Sequence, residues 1–500
     1  MRNRAKVKKA ALICLLCAVM LLTAGCGAGA PAVGSAPASA SALDPKSPVT
    51  VTVWNYYNGD QLAAFEQLVE EFNGSVGLEK GIVVLTVSQG DINTLADSLI
   101  SSVNKDAGAQ ETPALAAVYS ETAYILNEAG ALAPMDPYFT EEELAAYIPG
   151  FLDEGRFNAA NELLLFPVIK STELFTANKT DWAPFAEATG ITLESVTTKE
   201  ELTAAAKAYY EWTDSLTPEV AEDGKALYGR DSVSNYVYIG TYQLGHEMFP
   251  VVNGELTVDL DKDSFRTLWD NYYIPFINGY FGAYSKFRSE DCKIGKILAL
   301  TSSSSSVGYL PTAVTLEDDT THDIETYASG DLPFAGAVRK AAVQQGASYC
   351  LLRSTPAQQE GAVEFIKWFT EPERNLSFAT MSGYSPVTSA SNDAEAIEAA
   401  FGGDLSSPKQ QNILNSLLIN AETFNTMETY ATKPFHASKE LRYILGDLFE
   451  LTAQDDRAAV LEAIAAGATR EEAVAKYSTD EYFDAFFDKL CQQVNGALEK

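Results

Sequence analysis

Strand and helix patterns alternate along the first part of the chain. Apolar and polar residues take turns over residues 49–53, which is the pattern of a half-buried strand. A turn-rich loop, 54–60, follows this strand. A helix is then predicted from Asp60 to Gly74, because one of its faces carries the apolar residues Leu62, Phe65, Leu68, Val69 and Phe72.

One more strand and helix pair and a third strand extend this order. Residues 82–87 form a second apolar strand, and a helix through Leu95, Leu99 and Val103 is predicted behind it. A third short strand, 114–118, leads into Tyr119. Alternation of this kind predicts an α/β unit with a largely parallel sheet.

Later helices are marked by capping residues. A Ser or Thr hydroxyl can accept a hydrogen bond from a backbone N–H three residues further on, and a Glu or Gln at that position can bond back. We therefore expect helices to begin at four places: Thr140 with Glu143, Thr198 with Glu201, Thr355 with Gln358, and Ser478 with Glu481.

The amino-terminal region has a composition of its own. Five Lys and Arg residues lie within residues 1–9, and the apolar run 10–22 is shorter than the about 20 residues that a membrane-spanning helix needs. The sequence Ala24-Gly25-Cys26 after it resembles a bacterial lipoprotein signal, which is cleaved before the cysteine. Residues 1–25 are therefore the expected signal peptide and Cys26 the expected lipidation site, with an unlipidated secretory signal as the alternative. Residues 26–47, rich in Ala, Ser, Pro and Gly, are expected to form a flexible tether.

Charge and cysteine usage exclude several classes of protein. The formal net charge of −33 opposes binding to nucleic acid and broad contact with anionic lipid. A chain of 500 residues is too long for one ordinary hydrophobic core, so we expect at least two domains.

Beyond Cys26, the sequence contains only Cys292, Cys350 and Cys491, which are widely spaced and odd in number. This pattern favours neither a disulfide framework nor a thiolate metal site, although a single bridge stays open.

Motifs for catalysis and metal binding are missing from the sequence. No His-Glu-x-x-His, Gly-x-Ser-x-Gly or phosphate-binding glycine loop occurs. Asp259, Asp261 and Asp263 imitate the start of a calcium loop, but Ser264 replaces its glycine, so acidic capping of a helix near Phe265 is the better interpretation. We expect no cofactor, no metal and no catalytic residue. The many acidic pairs leave a glycosidase dyad open as an alternative.

Several short motifs occur in the order and spacing typical of one family. They are VTVW at 51–54, GALAPMD at 130–136, FPVIKST at 166–172, the serine run 302–306, GAS at 346–348, AVEFIKWFTEPE at 362–373 and GYSPV at 383–387. On these motifs, the chain resembles an extracellular solute-binding protein of the sugar-binding family that includes maltose-binding and glycerol-phosphate-binding proteins.

The resemblance implies a two-lobed α/β fold of the periplasmic-binding-protein type, type II. Each lobe would have a largely parallel sheet flanked by helices, and the solute would lie in the cleft between the lobes. Lobe 1 is expected at 48–170 with 332–383, and lobe 2 at 171–331 with 384–500.

The resemblance and one physical rule together locate the solute site. In open α/β sheets, ligands lie beyond the carboxyl ends of strands, where helix amino-termini also point. Aromatic side chains would cover the C–H surface of a sugar, and hydroxyl or carboxylate groups would bind its hydroxyls. The expected ligand-binding residues are Trp54, Tyr56, Tyr57, Asp60, Tyr119, Ser120, Ser171, Thr172, Tyr242, Gly245, Ser304, Gly346, Ser348 and Tyr384. For the aromatic residues the alternative is core packing, and for the isolated hydroxyls it is helix capping. For the serine run the alternative is a flexible polar loop.

The resemblance implies a binding protein and not an enzyme. It would be a monomer held by its lipid on the extracellular side of the cell membrane, and it would deliver a sugar, oligosaccharide or polyol to the permease subunits of an ABC importer. Glycerol phosphate stays open as a solute. A cell-surface glycoside hydrolase and a solute sensor for a signalling partner are the alternatives.

The lipid anchor is tested by changing Cys26. We expect the mature protein to partition into detergent and Cys26→Ser to move it to the aqueous phase, because two acyl chains are needed for stable anchoring. Cys17→Ser, which alters a cysteine of the signal peptide, is the matched control and should leave partitioning unchanged. An unmodified Cys26 at the mature terminus, seen by intact mass, would contradict the prediction.

Overall fold

The computed structural model describes residues 41–252, 255–403, 405 and 407–500. The predicted signal peptide and Cys26 lie outside these residues. From Ala42 to Lys500 the chain forms one compact unit. None of the helices in the described ranges is long and apolar enough to cross a membrane.

Fifteen strands are seen in the described residues, and most of them are short. In chain order they are β1 Val49–Asn55, β2 Ile82–Ser88, β3 Leu115–Val118, β4 Leu165–Phe166, β5 Glu173–Asn178, β6 Tyr228–Arg230, β7 Val251–Val252, β8 Glu255–Leu256, β9 Ala299–Ser303, β10 Ala313–Thr315, β11 Thr321–Asp323, β12 Thr326–Gly330, β13 Ala341–Val343, β14 Ser348–Leu351 and β15 Glu428–Tyr430.

Helices make up most of the remaining regular structure. They are α1 Gly59–Gly74, α2 Val76–Lys80, α3 Ile92–Asn104, α4 Ser120–Glu128, α5 Glu141–Ala145, α6 Pro149–Asp153, α7 Lys179–Thr189, α8 Lys199–Ser215, α9 Val233–Gln243, α10 Lys262–Ile277, α11 Arg288–Lys293, α12 Pro356–Phe369, α13 Pro372–Ser382, α14 Ala394–Ala400, α15 Pro408–Thr426, α16 Ser438–Ala465, α17 Arg470–Val474 and α18 Asp480–Leu498. Short 3-10 turns include Ser304–Tyr309 and Ala390–Asn392.

A five-stranded sheet is built mainly from the first part of the chain. Its strand order is β2-β1-β3-β14-β4. β1 runs parallel to β2 and β3, as predicted from the alternation of strand and helix. β14 runs antiparallel to β3 and to β4. No strand-helix-strand crossover leads into β14, so nothing forces it to run parallel.

A second sheet has the order β12-β5-β9-β6. Only β6 and β9 run parallel in it, while β5 is antiparallel to both β9 and β12. The prediction of a largely parallel sheet is therefore wrong here, although the α/β class is confirmed. The alternation that favours parallel pairing was visible only in the first 130 residues of the sequence.

Each sheet has its own hydrophobic core. The first sheet is covered by α1, whose predicted inner face is confirmed, with Phe65, Leu68, Val69 and Phe72 buried. The second sheet packs on a larger and more aromatic cluster, which gathers side chains from α8, α9, α10, α16 and α18. Smaller hydrophobic clusters lie beside these two in the described residues. The expectation of at least two domains stays a prediction.

Extended segments connect the two sheets and pair with one another. Lys170 exchanges backbone hydrogen bonds with Ser385, and Ser171 does so with Gln345. Three stretches of chain thus lie side by side where the polypeptide passes from one sheet to the other; we call them the crossing segments. The lobe boundaries proposed near residues 170 and 383 fall at these pairings and stay a prediction.

Capping and cysteine predictions have clear outcomes. Capping boxes are present at Thr140, Thr198 and Thr355, as predicted. The last helix is capped by Thr479, one residue later than predicted, because its hydroxyl accepts from the N–H of Tyr482.

The three cysteines are free, and burial raises the pKa of Cys350 to about 12, which keeps its thiol protonated at neutral pH.

Trp54 lies in the core of the first sheet and not on a surface that could stack on a solute. Its side chain is 2% exposed and belongs to a cluster with Leu95, Leu99, Ala116 and Leu126. The expectation of a solute-facing indole is therefore corrected. Trp54 is the sixth residue of β1 and its side chain points to the face that α3 and α4 cover, which the strand end alone does not reveal.

Because of this burial, Trp54→Ala should lower the free energy of unfolding by about 3–5 kcal/mol. Urea unfolding monitored by circular dichroism measures the change. Trp212→Ala, at a partly buried tryptophan outside this cluster, is the matched control and should cost less. Wild-type stability of the Trp54 variant would contradict the core placement.

Candidate functional site

A cleft opens where strand ends from both sheets meet the starts of helices. On the first sheet, β3 ends at Val118, and Tyr119 precedes α4. On the second sheet, β6 ends at Arg230, and Ser232 caps α9 by accepting from the N–H of Asn235. The cleft therefore lies beyond the carboxyl ends of β3 and β6, as the rule for α/β sheets requires.

The cleft has two connected parts. The inner cavity, about 80 Å³, is lined by Tyr119, Ser120, Glu121, Glu154, Asn235, Tyr238, Val343, Gln344, Gln345, Gly346, Tyr430, Ala431, Thr432, Ser438 and Arg442. The outer cavity, about 320 Å³, is lined by Ile92, Asn93, Ala96, Tyr119, Glu121, Thr122, Asp231, Ser232, Val233, Ser234, Lys439, Arg442, Tyr443, Gly446, Asp447 and Glu450. Tyr119, Glu121 and Arg442 belong to both and join them.

One wall of the cleft is a single face of α16. Ser438, Arg442, Gly446 and Glu450 follow at intervals of four, so they lie one above another along the helix. Gly446 lets α16 approach the start of α9, because a Cβ there would meet the Cβ of Ser234 at 3.1 Å. A larger side chain would push Arg442 away from the site.

Arg442 is held in place through a buried amide. It donates to the Oδ1 of Asn235 at 2.6 Å, and the Nδ2 of Asn235 donates to Glu173 at 3.0 Å. Glu173 is also paired with Arg230, and both side chains are 1% exposed. Asn235 therefore links a buried ion pair of the second sheet to the cationic group of the cleft. Within the described residues, Arg442 itself forms no ion pair.

The same network extends deeper into the second sheet. Asp331 pairs with Lys199 at 3.1 Å and with Arg230 at 3.3 Å. Burial alone would disfavour its carboxylate, but the charges of Arg230 and Lys199 outweigh that cost and lower the pKa of Asp331. Burial raises the pKa of Glu173 and lowers the pKa of Lys199, although the charge of Arg230 opposes the first shift and that of Asp331 opposes the second. The amide of Asn235 is held by its hydrogen bonds with Glu173 and Arg442.

A second buried ion pair lies among the crossing segments. Lys170 has no exposed side-chain surface and pairs with Glu154, while its Nζ also donates to the carbonyl of Gly346 at 3.0 Å. Gln344 donates to the same carboxylate at 2.7 Å. Gly346 has a φ of +95°, and a Cβ on it would meet the Cα of Lys170 at 3.1 Å, so glycine is needed for this close approach.

Two residues that line the inner cavity carry a hydrogen-bond acceptor without a partner in the described part of the chain. The side-chain oxygens of Gln344 and Gln345 are buried and have no partner among the described residues. Gln344 is only 7% exposed. A buried acceptor without a donor costs about 1–3 kcal/mol, which a hydroxyl or ammonium group of a ligand could recover.

Three of the predicted ligand-binding residues line the cleft. They are Tyr119, Ser120 and Gly346. Tyr119 is 41% exposed and stands at the junction of the two cavities, whereas Ser120 begins α4 and is buried. The strand-end rule pointed to this part of the cleft because the strand that became β3 was predicted from the sequence; the helix after it was not.

Four others lie on the first sheet's side, outside both cavities. Tyr56 and Tyr384 join their hydroxyls at 3.0 Å, and Tyr57 packs between Phe65 and Tyr384 in the core. Burial raises the pKa of Tyr56 well above its usual value. Asp60 is exposed and pairs with Lys409 at 2.7 Å.

The predicted hydroxyls of the crossing region bind backbone and each other. Thr172 donates to the carbonyl of Val343 at 2.7 Å, and its N–H donates to the Oγ of Ser304 at 3.1 Å. Ser303 donates to Ser171 at 3.2 Å. The serine run is therefore neither a flexible loop nor a lining of the cavities, since its hydroxyls fasten β9 to the crossing segments. Ser348, at the start of β14, is buried.

Tyr242 and Gly245 support the cleft from behind. The ring of Tyr242 stacks on Tyr430 with 3.8 Å between centroids, and Tyr430 lines the inner cavity. Burial and a hydrogen bond to Glu428 raise the pKa of Tyr242 to about 12. Gly245 accepts from Arg339, whose guanidinium lies over the Tyr242 ring.

Sequence reasoning missed most of the cleft. Asp231 to Asn235 could have been found by applying the strand-end rule to β6 as well as to the first three strands. Arg442, Gln344 and Tyr430 had no local signal, because segments distant in sequence bring them together. The described residues contain no group of three His, Cys, Asp or Glu side chains that could hold a metal ion.

Comparison with known families gives one match. Residues 67–401 match the family described as bacterial extracellular solute-binding protein. Among curated protein sequences, none matches the chain.

Solved structures share the fold at low sequence identity. The cyclic alpha-maltosyl-1,6-maltose binding protein from Arthrobacter globiformis has a TM-score of 0.61 at 16% identity, over 89% of this chain and 100% of that chain. UgpB from Mycobacterium tuberculosis, in complex with glycerophosphocholine, has a TM-score of 0.60 at 16% identity, over 91% and 99%. Lmo0181 from Listeria monocytogenes, in complex with cycloalternan, has a TM-score of 0.60 at 14% identity, over 90% and 99%. The fold is thus the two-lobed type II periplasmic-binding-protein-like fold that the sequence predicted.

The ion pair of the crossing segments can be tested by a double-mutant cycle. Lys170→Met should lower the free energy of unfolding by about 3–5 kcal/mol, because it leaves Glu154 buried without its cation. Lys170→Met with Glu154→Met should cost less than the single change, since both charges are then removed. Urea unfolding of the set checks this. Additive losses would contradict a direct pair.

Proposed function

This chain belongs to the bacterial extracellular solute-binding proteins, and we propose that it captures a sugar, oligosaccharide or polyol in the cleft and delivers it to an ABC importer. The proposal includes the lipid anchor at Cys26, which would hold the protein on the extracellular side of the cell membrane, with permease subunits as its partners.

The chemistry of the inner cavity carries the proposal. Gln344, Gln345 and Arg442 line it; the side-chain oxygens of the two glutamines are buried without a partner in the described residues, and the arginine supplies N–H donors. Tyr119, Tyr238 and Tyr430 add aromatic surface. A hydroxylated solute needs this mixture, because each hydroxyl both donates and accepts while its C–H surface favours aromatic contact.

Proteins of the same fold support this class of solute. Three proteins of this fold are a cyclic maltosyl-maltose binding protein, UgpB in complex with glycerophosphocholine and Lmo0181 in complex with cycloalternan, and all three of these compounds carry hydroxyl groups. We carry over only the shared hydroxylated character, since sequence identity to these proteins is low.

The crossing segments supply a means of signalling capture. They connect the lobes through short extended stretches, and rotation about such stretches closes a cleft over its ligand. Binding would shift the protein toward the closed form only if the solute contacts both sides. Tyr119 on one side and Arg442 on the other provide those contacts.

The proposal is tested by solute capture and by one substitution. Mass spectrometry of natively purified protein identifies retained solute, and titration calorimetry gives its affinity. Arg442→Gln should weaken binding by about 1.5–3 kcal/mol, the usual worth of hydrogen bonds from a charged group, without unfolding the protein.

The matched control is Arg353→Gln, at an exposed arginine outside the cleft, which should keep wild-type affinity. A folded Arg442→Gln variant with unchanged affinity would place the solute elsewhere. Conversion of the captured solute to product would favour the hydrolase alternative over a binding protein.

A further inference from the structure

We infer that the preferred solute carries a positively charged amino group as well as hydroxyls, and that the outer cavity receives the charged group. This inference rests on the proposed function, because it assigns a property to the solute of the same cleft.

The outer cavity holds four carboxylates. Glu121 is the second residue of α4, Asp231 follows β6, and Asp447 and Glu450 lie three residues apart on α16. Within the described part of the chain, Glu121, Asp447 and Glu450 form no ion pair. Acidic groups from two separate helices thus line one space without an ion pair of their own among the described residues, and Asp231 adds a carboxylate from a third element.

The cations near this space are already engaged or stand at its edge. Lys439 pairs with Asp97 at 3.6 Å. Arg288 pairs with Asp291 at 2.8 Å and lies 3.8 Å from Asp231. Arg442 stands at the border with the inner cavity and donates to Asn235. The balance of charge in the outer cavity is therefore negative.

Titration behaviour agrees with excess negative charge. Burial raises the pKa of Glu450, and Asp447 and Asp231 raise it further against the opposing charge of Arg288. Burial also raises the pKa of Asp231. A cation placed between these carboxylates would relieve the repulsion.

The shape and lining favour an organic cation over a metal ion. Three carboxylates do not come close enough together anywhere in the described residues to hold a metal ion. Tyr119 and Tyr443 are 41% and 48% exposed at this cavity, and aromatic rings attract ammonium groups. A cavity of about 320 Å³ has room for an amino group with its carbon neighbours.

The inner cavity gives the second, independent indication of a ligand. Gln344 is more than nine-tenths buried, and its oxygen has no partner among the described residues. Because Tyr119, Glu121 and Arg442 line both cavities, one solute could place hydroxyls beside Gln344 and its amino group among the carboxylates.

Paired solutes test the inference directly. The pairs are glucosamine with N-acetylglucosamine, 1-amino-1-deoxysorbitol with sorbitol, and the disaccharide of glucosamine with its N-acetylated form. The hydroxyls are the same within each glucosamine pair, the amine replaces one hydroxyl in the sorbitol pair, and in every pair the cation is present in one member only. Calorimetry should show the aminated member binding about tenfold more tightly or better, and the ratio should shrink at high salt.

Charge-neutral variants locate the effect. Asp447→Asn with Glu450→Gln should bring the affinity ratio within each pair close to one. Asp455→Asn with Glu462→Gln removes the same charges from exposed positions of the same helix outside the cleft, and should keep the wild-type ratio. Unchanged melting temperatures show that each variant is folded.

The possible failures are distinct. Neutral members binding as tightly as aminated ones, or a preference that survives Asp447→Asn with Glu450→Gln, would overturn the inference and leave the proposed function standing. If no hydroxylated compound of the panel or of the natively retained fraction binds, the proposed function fails, and the inference fails with it.

Discussion

The connection between the two main sheets of this protein depends on one buried cation. Lys170 lies where the chain passes between the sheets, and its charge is balanced by Glu154 while its Nζ also donates to the carbonyl of Gly346. A lysine without exposed surface is stable only with such partners. The pair therefore holds the chain near residues 154, 170 and 346 together. Gln344 donates to the same carboxylate and lines the inner cavity, so the pair also fixes this part of the cavity wall.

The opposite wall is ordered by a second buried pair. Glu173 and Arg230 lie within the second sheet, and the amide of Asn235 transmits their position to Arg442 on α16. In both walls a charge buried in the scaffold orients an amide. The amide of Gln344 lines the cavity itself, whereas the amide of Asn235 also orients Arg442. Preorganisation of this kind lowers the entropy that binding would otherwise cost.

Local rules predicted the features that local chemistry controls. The inner face of α1 and the capping boxes at Thr140, Thr198 and Thr355 depend only on residues within a turn or two, so the sequence shows them directly. The parallel pairing of β1 with β2 and β3 followed from the alternation of strand and helix. Family motifs added the two-lobed fold, which no periodicity in the chain reveals. The serine run misled us, because five hydroxyls in a row look alike whether they bind a solute or, as here, a neighbouring strand.

The sequence by itself determined the α/β class, the net acidic charge, the positions of α1 and α3, and the strand end that precedes Tyr119. Tertiary structure alone decided the rest of the cleft. Arg442, Gln344 and Tyr430 stand far apart along the chain, and no local pattern marks them. Trp54 is a second example of what the sequence did not reveal, because a side chain near a strand end can face solvent or, as here, the core. Successive side chains of a strand point to opposite faces, and the helices that pack on each face decide which of them is buried.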